Sequence, residues 1–183
     1  MHRLFYDLAK FQKEHLSKET KYFIKSIESG LFTGLRNKEG DIRENVNKSN
    51  LAKNMKRYSE ISKEIEDINY LFCKQNNLIV GHDIQIYRGI NCSPTRYNDI
   101  VPTSWSFNKE IAINFSYDKG SVLIQDIQLT LPIIVNITEG DLNEFEIILP
   151  PTNYRLLKIY DGKHIFKDDN EEYKFNQFIV KKV

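Results

Sequence analysis

Hydrophobic positions change their period near residue 78. Before it, Phe5, Leu8, Phe11 and Leu16 recur at helical spacing, and Tyr22, Phe23, Ile24, Ile27 and Leu31 do so again. Gly30 and Gly34 punctuate the second stretch, and the polar segment 37–50 reads as a loop. A longer helix is predicted from about 51 or 59 to 71, with Ile61, Ile65, Ile68, Leu71 and Phe72 as its buried stripe. After residue 78 the pattern becomes strand-like. Ile84, Ile86 and Arg88 share one face of a short strand, with Gln85 and Tyr87 on the other. A second strand is predicted at 102–107. A short helix follows over 108–115, with Asn108 as its cap and Ile111, Ala112 and Phe115 facing inward. Strands are then expected at 121–131, 133–137, 144–149, 154–160 and 175–183. The prediction is one α+β domain: a helical lobe over 1–77, then a β-rich core over 78–183 of two packed, mainly antiparallel sheets.

Composition narrows the function classes. The chain is 40% hydrophobic and 28% charged, an ordinary globular balance. Its formal net charge of +1 gives no strong field for nucleic acid or membranes. Lys48, Lys53, Lys56 and Arg57 form a local basic cluster, a pattern that also fits a solvated helix face. Cys73 and Cys92 have no histidine in ligand-like spacing, so no metal is expected and a reducing compartment is the simpler reading. The N-terminal residues show no signal peptide and no membrane-spanning run, so a cytoplasmic location is expected.

Three segments carry candidate chemistry. In Tyr87-Arg88-Gly89, a guanidinium stands beside a glycine that permits close approach, which suits an anionic ligand. Alone, such an arginine is more often paired with a surface carboxylate. In Ser104-Trp105-Ser106, period-2 spacing puts both hydroxyls on one face and the indole on the other. They can line a groove and orient a carboxylate, or be merely tolerated polar positions. In Glu144-Phe145-Glu146, two carboxylates repel each other at i and i+2, which favours a nearby cation, metal or substrate. A solvated strand start is the bland reading. Against it for Glu146 stands the apolar Ile147-Ile148-Leu149-Pro150 that follows.

In this order the segments resemble the arginine-specific mono-ADP-ribosyltransferases of the binary-toxin and phage-encoded type, whose signature is Arg, Ser-x-Ser, Glu-x-Glu. The likeness is specific over about 78–160. Trp105 stands where the family has threonine, so the indole must pack on the opposite face or rim the pocket. The resemblance implies an NAD cleft between the two sheets and no metal. It places Arg88 on the phosphates and Ser104 on Glu146. Glu146 would bond the ribose 2′-hydroxyl and stabilise the developing positive charge, and Glu144 would orient or deprotonate the incoming guanidinium. Tyr87, Gly89, Ser106, Phe115 and Tyr117 complete the expected NAD contacts. Segment 117–120 falls at the family's phosphate–nicotinamide loop and 138–143 at its substrate-recognition loop. The implied activity is transfer of ADP-ribose to arginine of a target protein by a monomer. The alternatives are NAD hydrolysis, transfer to nucleic acid, and a non-catalytic partner-binding module.

Overall fold

The computed structural model describes residues 2–37, 41–78, 83–117, 119–137, 145–165 and 172–183. The helical periodicity of the first third becomes α1 (His2–His15), α2 (Lys18–Glu28) and α3 (Lys48–Gln75). Ser17 caps α2 by accepting from the Thr20 N–H. Ser17 and Thr20 also donate to Glu64 on α3, which ties the two helices together. Partial burial pushes the Glu64 carboxyl up, but those hydrogen bonds outweigh it and hold the group below its ordinary value. Helix α3 starts earlier than the apolar stripe indicates, because Asn47 caps it by accepting from the Asn50 N–H.

The rest of the chain forms β1 (Asp83–Ile90), β2 (Tyr97–Asp99), β3 (Thr103–Ser106), α4 (Lys109–Ser116), β4 (Ser121–Gln128), β5 (Ile134–Ile137), β6 (Phe145–Leu149), β7 (Thr152–Ile165) and β8 (Glu172–Lys182). The α+β class matches the expectation. The strands are hydrogen-bonded in the order β2-β7-β8-β4-β1-β3-β6-β5. Among the described residues, only the β4–β8 pair is parallel. The two expected sheets are therefore one continuous sheet, joined at a narrow seam where Tyr87 on β1 registers with Ser106 on β3. The sheet curls until its halves face each other. Trp105 on β3 lies 6.1 Å, centroid to centroid, from Tyr154 on β7, although β1, β4 and β8 separate those strands in the order. Ile86, Leu123, Trp105, Ile147 and Phe178 fill the space between. Trp105 is only 2% exposed, so of its two expected placements it takes the face opposite the serines.

Strand β5 ends the sheet, and an open edge leaves backbone groups without partners. Two helical polar side chains meet them. Gln12 on α1 accepts from the Val135 N–H at 3.1 Å and donates to the Ile133 carbonyl at 2.8 Å. Asn69 on α3 accepts from Gln12 at 2.7 Å and donates to the Leu131 and Ile133 carbonyls at 2.7 and 3.0 Å. Both are buried, at 4% and 0% exposure, so their bonds have no water to replace them. Replacing Gln12 with leucine strands the Val135 N–H. Gln12→Leu is expected to lower stability by about 3 kcal/mol in urea unfolding, from lost hydrogen bonds and an unpaired buried donor. A change within about 0.5 kcal/mol would count against the clamp.

Candidate active site

Helix α4 lies directly on β1. A Cβ at Gly89 would sit 1.9 Å from the Ala112 carbonyl oxygen, and one at Gly120 would sit 1.8 Å from that of Ser116. Both contacts are backbone, so neither can be relieved by moving a flexible side chain. On the inner side Ala112, Ile113 and Ser116 are buried. The expected inward Phe115 instead points out, 54% exposed, with Tyr117 beside it at 62%. Tyr117 ends the helix at φ 54°, and Lys119 follows at φ 64°. Left-handed backbone in bulky residues is strained, and such strain clusters at ligand-binding loops.

Register sets the face on which the candidate residues stand. Ser104 pairs with Ile148 and Ser106 with Glu146 across β3–β6. Ile134 pairs with Ile148 and Asn136 with Glu146 across β5–β6. Ile134 and Ile148 are covered by the helical lobe. The rest of that face carries Ser104, Ser106, Asn136 and Glu146. The Ser104 hydroxyl donates to Glu146 Oε1, and Asn136 Nδ2 donates to Oε2 at 3.3 Å. The Ser104 carbonyl accepts from an Arg88 amino group. One residue thus touches both the cation and the carboxylate. Among the described residues, no oppositely charged group lies within 4 Å of Arg88 or Glu146. Arg88 Nε is buried without a partner among them.

A two-lobed cleft opens here. The larger lobe, ≈ 430 Å³, is lined by Arg36, Arg43, Tyr117 and Tyr97. The smaller, ≈ 230 Å³, is lined by Tyr87, Ser106, Ala112 and Glu146. Arg88, Gly89, Ser104 and Phe115 border both. One lobe gathers three guanidiniums and the other a carboxylate. The cleft therefore suits a ligand that is anionic at one end and becomes cationic at the other.

The structure brings Tyr87, Arg88, Gly89, Ser104, Ser106, Phe115, Tyr117 and Glu146 to this cleft. Not all of them are free to bind. Ser106 is buried, and its hydroxyl oxygen accepts from the Asn108 N–H at 3.0 Å, which fixes the start of α4. The Tyr87 hydroxyl donates to Gln85 at 2.9 Å. Glu144 and the expected recognition loop at 138–143 lie outside the described residues, as does Asp118.

Sequence reasoning gave no role to Arg36, Arg43, Asp99 or Asn136. Asp99 is fully buried, 2.6 Å from Arg36 and 2.8 Å from the Tyr97 hydroxyl. Burial pushes the Tyr97 hydroxyl well above its ordinary value, while the nearby Arg88 charge pulls it down. Arg43 donates from Nε to the Arg36 carbonyl at 2.8 Å. These bonds hold the α2–α3 connection as a cleft wall. No sequence signal marked these residues: Asp99 owes its burial, and so its need for a cation, to partners elsewhere in the chain.

No protein-family model matches the chain, and no curated protein matches it in sequence. Solved structures do match its fold. C3larvin toxin, an ADP-ribosyltransferase from Paenibacillus larvae, is similar at 12% identity and a TM-score of 0.53, over 94% of this chain and 92% of that one. BECa, an ADP-ribosylating toxin of a binary enterotoxin of C. perfringens solved with NADH, is similar at 15% identity and a TM-score of 0.51. That match covers 94% of this chain but 45% of BECa. The chain has the fold of the ADP-ribosyltransferase toxins.

The α4 contact is open to direct test. Gly89→Ala is expected to cost about 3 kcal/mol in thermal or urea unfolding, because a methyl cannot fit against the helix backbone. A fully stable variant would show that α4 can lift away without penalty.

Proposed function

We propose that the chain transfers ADP-ribose from NAD to an arginine side chain of a target protein, releasing nicotinamide. The observation that carries this reading is Ser104, whose carbonyl holds Arg88 and whose hydroxyl holds Glu146 within one two-lobed cleft. The donor set suits NAD. With Arg36 paired to Asp99, Arg43 and Arg88 are the guanidiniums of the larger lobe that suit a diphosphate, and the buried Arg88 Nε still has a bond to give. Exposed Phe115 and Tyr117 at the rim suit a flat ring. The fold shared with C3larvin and BECa supports the same reading, and BECa was solved with NADH.

In this scheme Arg88 fixes the diphosphate. Glu146 bonds the nicotinamide ribose 2′-hydroxyl and stabilises positive charge at the anomeric carbon as the bond to nicotinamide breaks. The logic is that of the carboxylates in glycoside hydrolysis. Nicotinamide leaves neutral with the bonding electron pair. A guanidine nitrogen of the acceptor forms the new bond and gives up a proton, for which Glu144 is the proposed acceptor. Glu146 is held by two neutral donors, so its charge is not spent on a neighbouring cation.

Wild type and variants incubated with labelled NAD and an arginine-containing acceptor separate these roles. Glu146→Gln is expected to reduce both nicotinamide release and transfer by at least about 100-fold, the scale of losing one electrostatic stabiliser. Glu144→Gln is expected to lose transfer while retaining NAD hydrolysis. Arg88→Lys is expected mainly to raise KM for NAD, because lysine cannot reproduce the bidentate grip. Undiminished activity in Glu146→Gln would refute the assignment. Equal loss of hydrolysis in both glutamate variants would refute the division of labour.

A further inference from the structure

A second groove, ≈ 750 Å³, runs between α1, α2 and β5, outside the cleft already described. Its floor is apolar, and Lys10, Lys13, Lys21 and Lys25 line it. Lys10 lies 4.0 Å from Glu14, also on the groove. Among the described residues, no carboxylate lies within 4 Å of Lys13, Lys21 or Lys25. Lys21 donates from Nζ to the Lys13 carbonyl at 3.1 Å, which still leaves its charge on the groove; in a chain of net charge +1, this is a local concentration of cations.

The groove is directional. Lys21, Lys25 and Glu28 follow one another along α2, a span of about 10 Å at the rise of an α-helix. Asn136 lines the same groove and donates to Glu146. Glu28 is solvent-exposed. Loss of solvent around its carboxyl and then the charge of Glu146 push its pKa up, with Lys25 pulling it down. The groove thus begins among lysines and ends at Glu28 and at Asn136, which holds one oxygen of Glu146. That polarity fits a segment that is acidic along its length and offers one cationic side chain at its end.

We propose that this groove docks an acidic segment of the acceptor protein and delivers a neighbouring cationic side chain to Glu146. The proposal rests on the transferase reading above. A protein segment is favoured over nucleic acid because a chain of net charge +1 offers no broad basic face for a phosphate backbone, while the groove's apolar floor suits the side chains that lie between a peptide's carboxylates.

Fluorescently labelled hexaglutamate, followed by anisotropy at low salt, provides the test. Wild type is expected to bind it, and excess ADP-ribose is expected not to displace it. In the triple variant Lys13→Gln, Lys21→Gln, Lys25→Gln, binding is expected to weaken on the order of 10-fold, while nicotinamide release from NAD stays within about 2-fold of wild type. The matching lysine-to-arginine triple variant keeps the charge and is expected to keep the binding. Raising salt is expected to erase the difference between wild type and the glutamine variant. Equal binding by wild type and the glutamine variant overturns the proposal. So does displacement by ADP-ribose, or tighter binding of oligouridylate than of hexaglutamate. Failure of the underlying reading would appear separately, as no nicotinamide release by wild type.

Discussion

The contact between α4 and the Gly89 backbone is the constraint on which the site depends. Because residue 89 has no side chain, the helix approaches until its carbonyls meet the strand. That approach sets Phe115 and Tyr117 over the strand end and fixes the width of the cleft. It also explains the need for a second glycine at 120, where the chain leaving the helix passes under Ser116. Placing Arg88 next to this contact has a further effect. The arginine is thereby flanked by a backbone position that the helix holds in place.

The far wall of the cleft depends on a different device. Glu146 is on β6, and only the short edge strand β5 lies beyond it. Four residues with an open side are weakly held by their own ladder. Gln12 and Asn69 supply the missing partners from two helices, so the helical lobe does more than cover apolar surface. It fixes the strand that carries Asn136, and Asn136 in turn holds one oxygen of Glu146. Arg36 and Asp99 tie the same lobe to the opposite edge, β2. The lobe is anchored at both ends of the sheet order, and the cleft lies between the anchors.

How much of this was legible follows from where the determining physics lies. Period-2 and period-3.6 patterns are local, and they marked α1, α2, β1, β3 and α4 closely. Alternation also put Ser104 and Ser106 on one face, while the contact between Ser104 and Glu146 was implied by the family resemblance alone. Long-range pairing is not local. Nothing in the order of residues shows that Gln12 reaches β5 across 123 positions, or that Arg36 meets Asp99 across 63. Strand β2 was missed because three residues carry no period, and its burial comes from partners elsewhere. Phe115 was expected inside because its helical spacing matches Ile111 and Ala112. The close glycine contact keeps Ala112 inward, as expected, and brings Ile113 and Ser116 inward in place of Phe115. The fusion of two expected sheets into one turns on the single register pair Tyr87 and Ser106, which no composition or pattern encodes.

The electrostatics of Ser104 link these structural choices to chemistry. A guanidinium on β1 and a carboxylate on β6, with only β3 between them, could close on each other across that strand. The gain would be small, since a solvent-reaching ion pair contributes about 1 kcal/mol or less, but both groups would then be occupied. Ser104 stands between them and gives each a neutral partner: its carbonyl to Arg88, its hydroxyl to Glu146. Both side chains are positioned, and neither charge is cancelled by the other. A side chain without a hydroxyl at 104 would leave Glu146 Oε1 without this donor even with the backbone still in ladder with Ile148. Trp105, the departure from the family pattern, does not disturb this arrangement. Its indole is spent on the interior, against Tyr154, where it holds the two halves of the curled sheet together. The same alternation that hides the indole exposes the serine, so core packing and charge separation come from neighbouring residues on opposite faces of one four-residue strand.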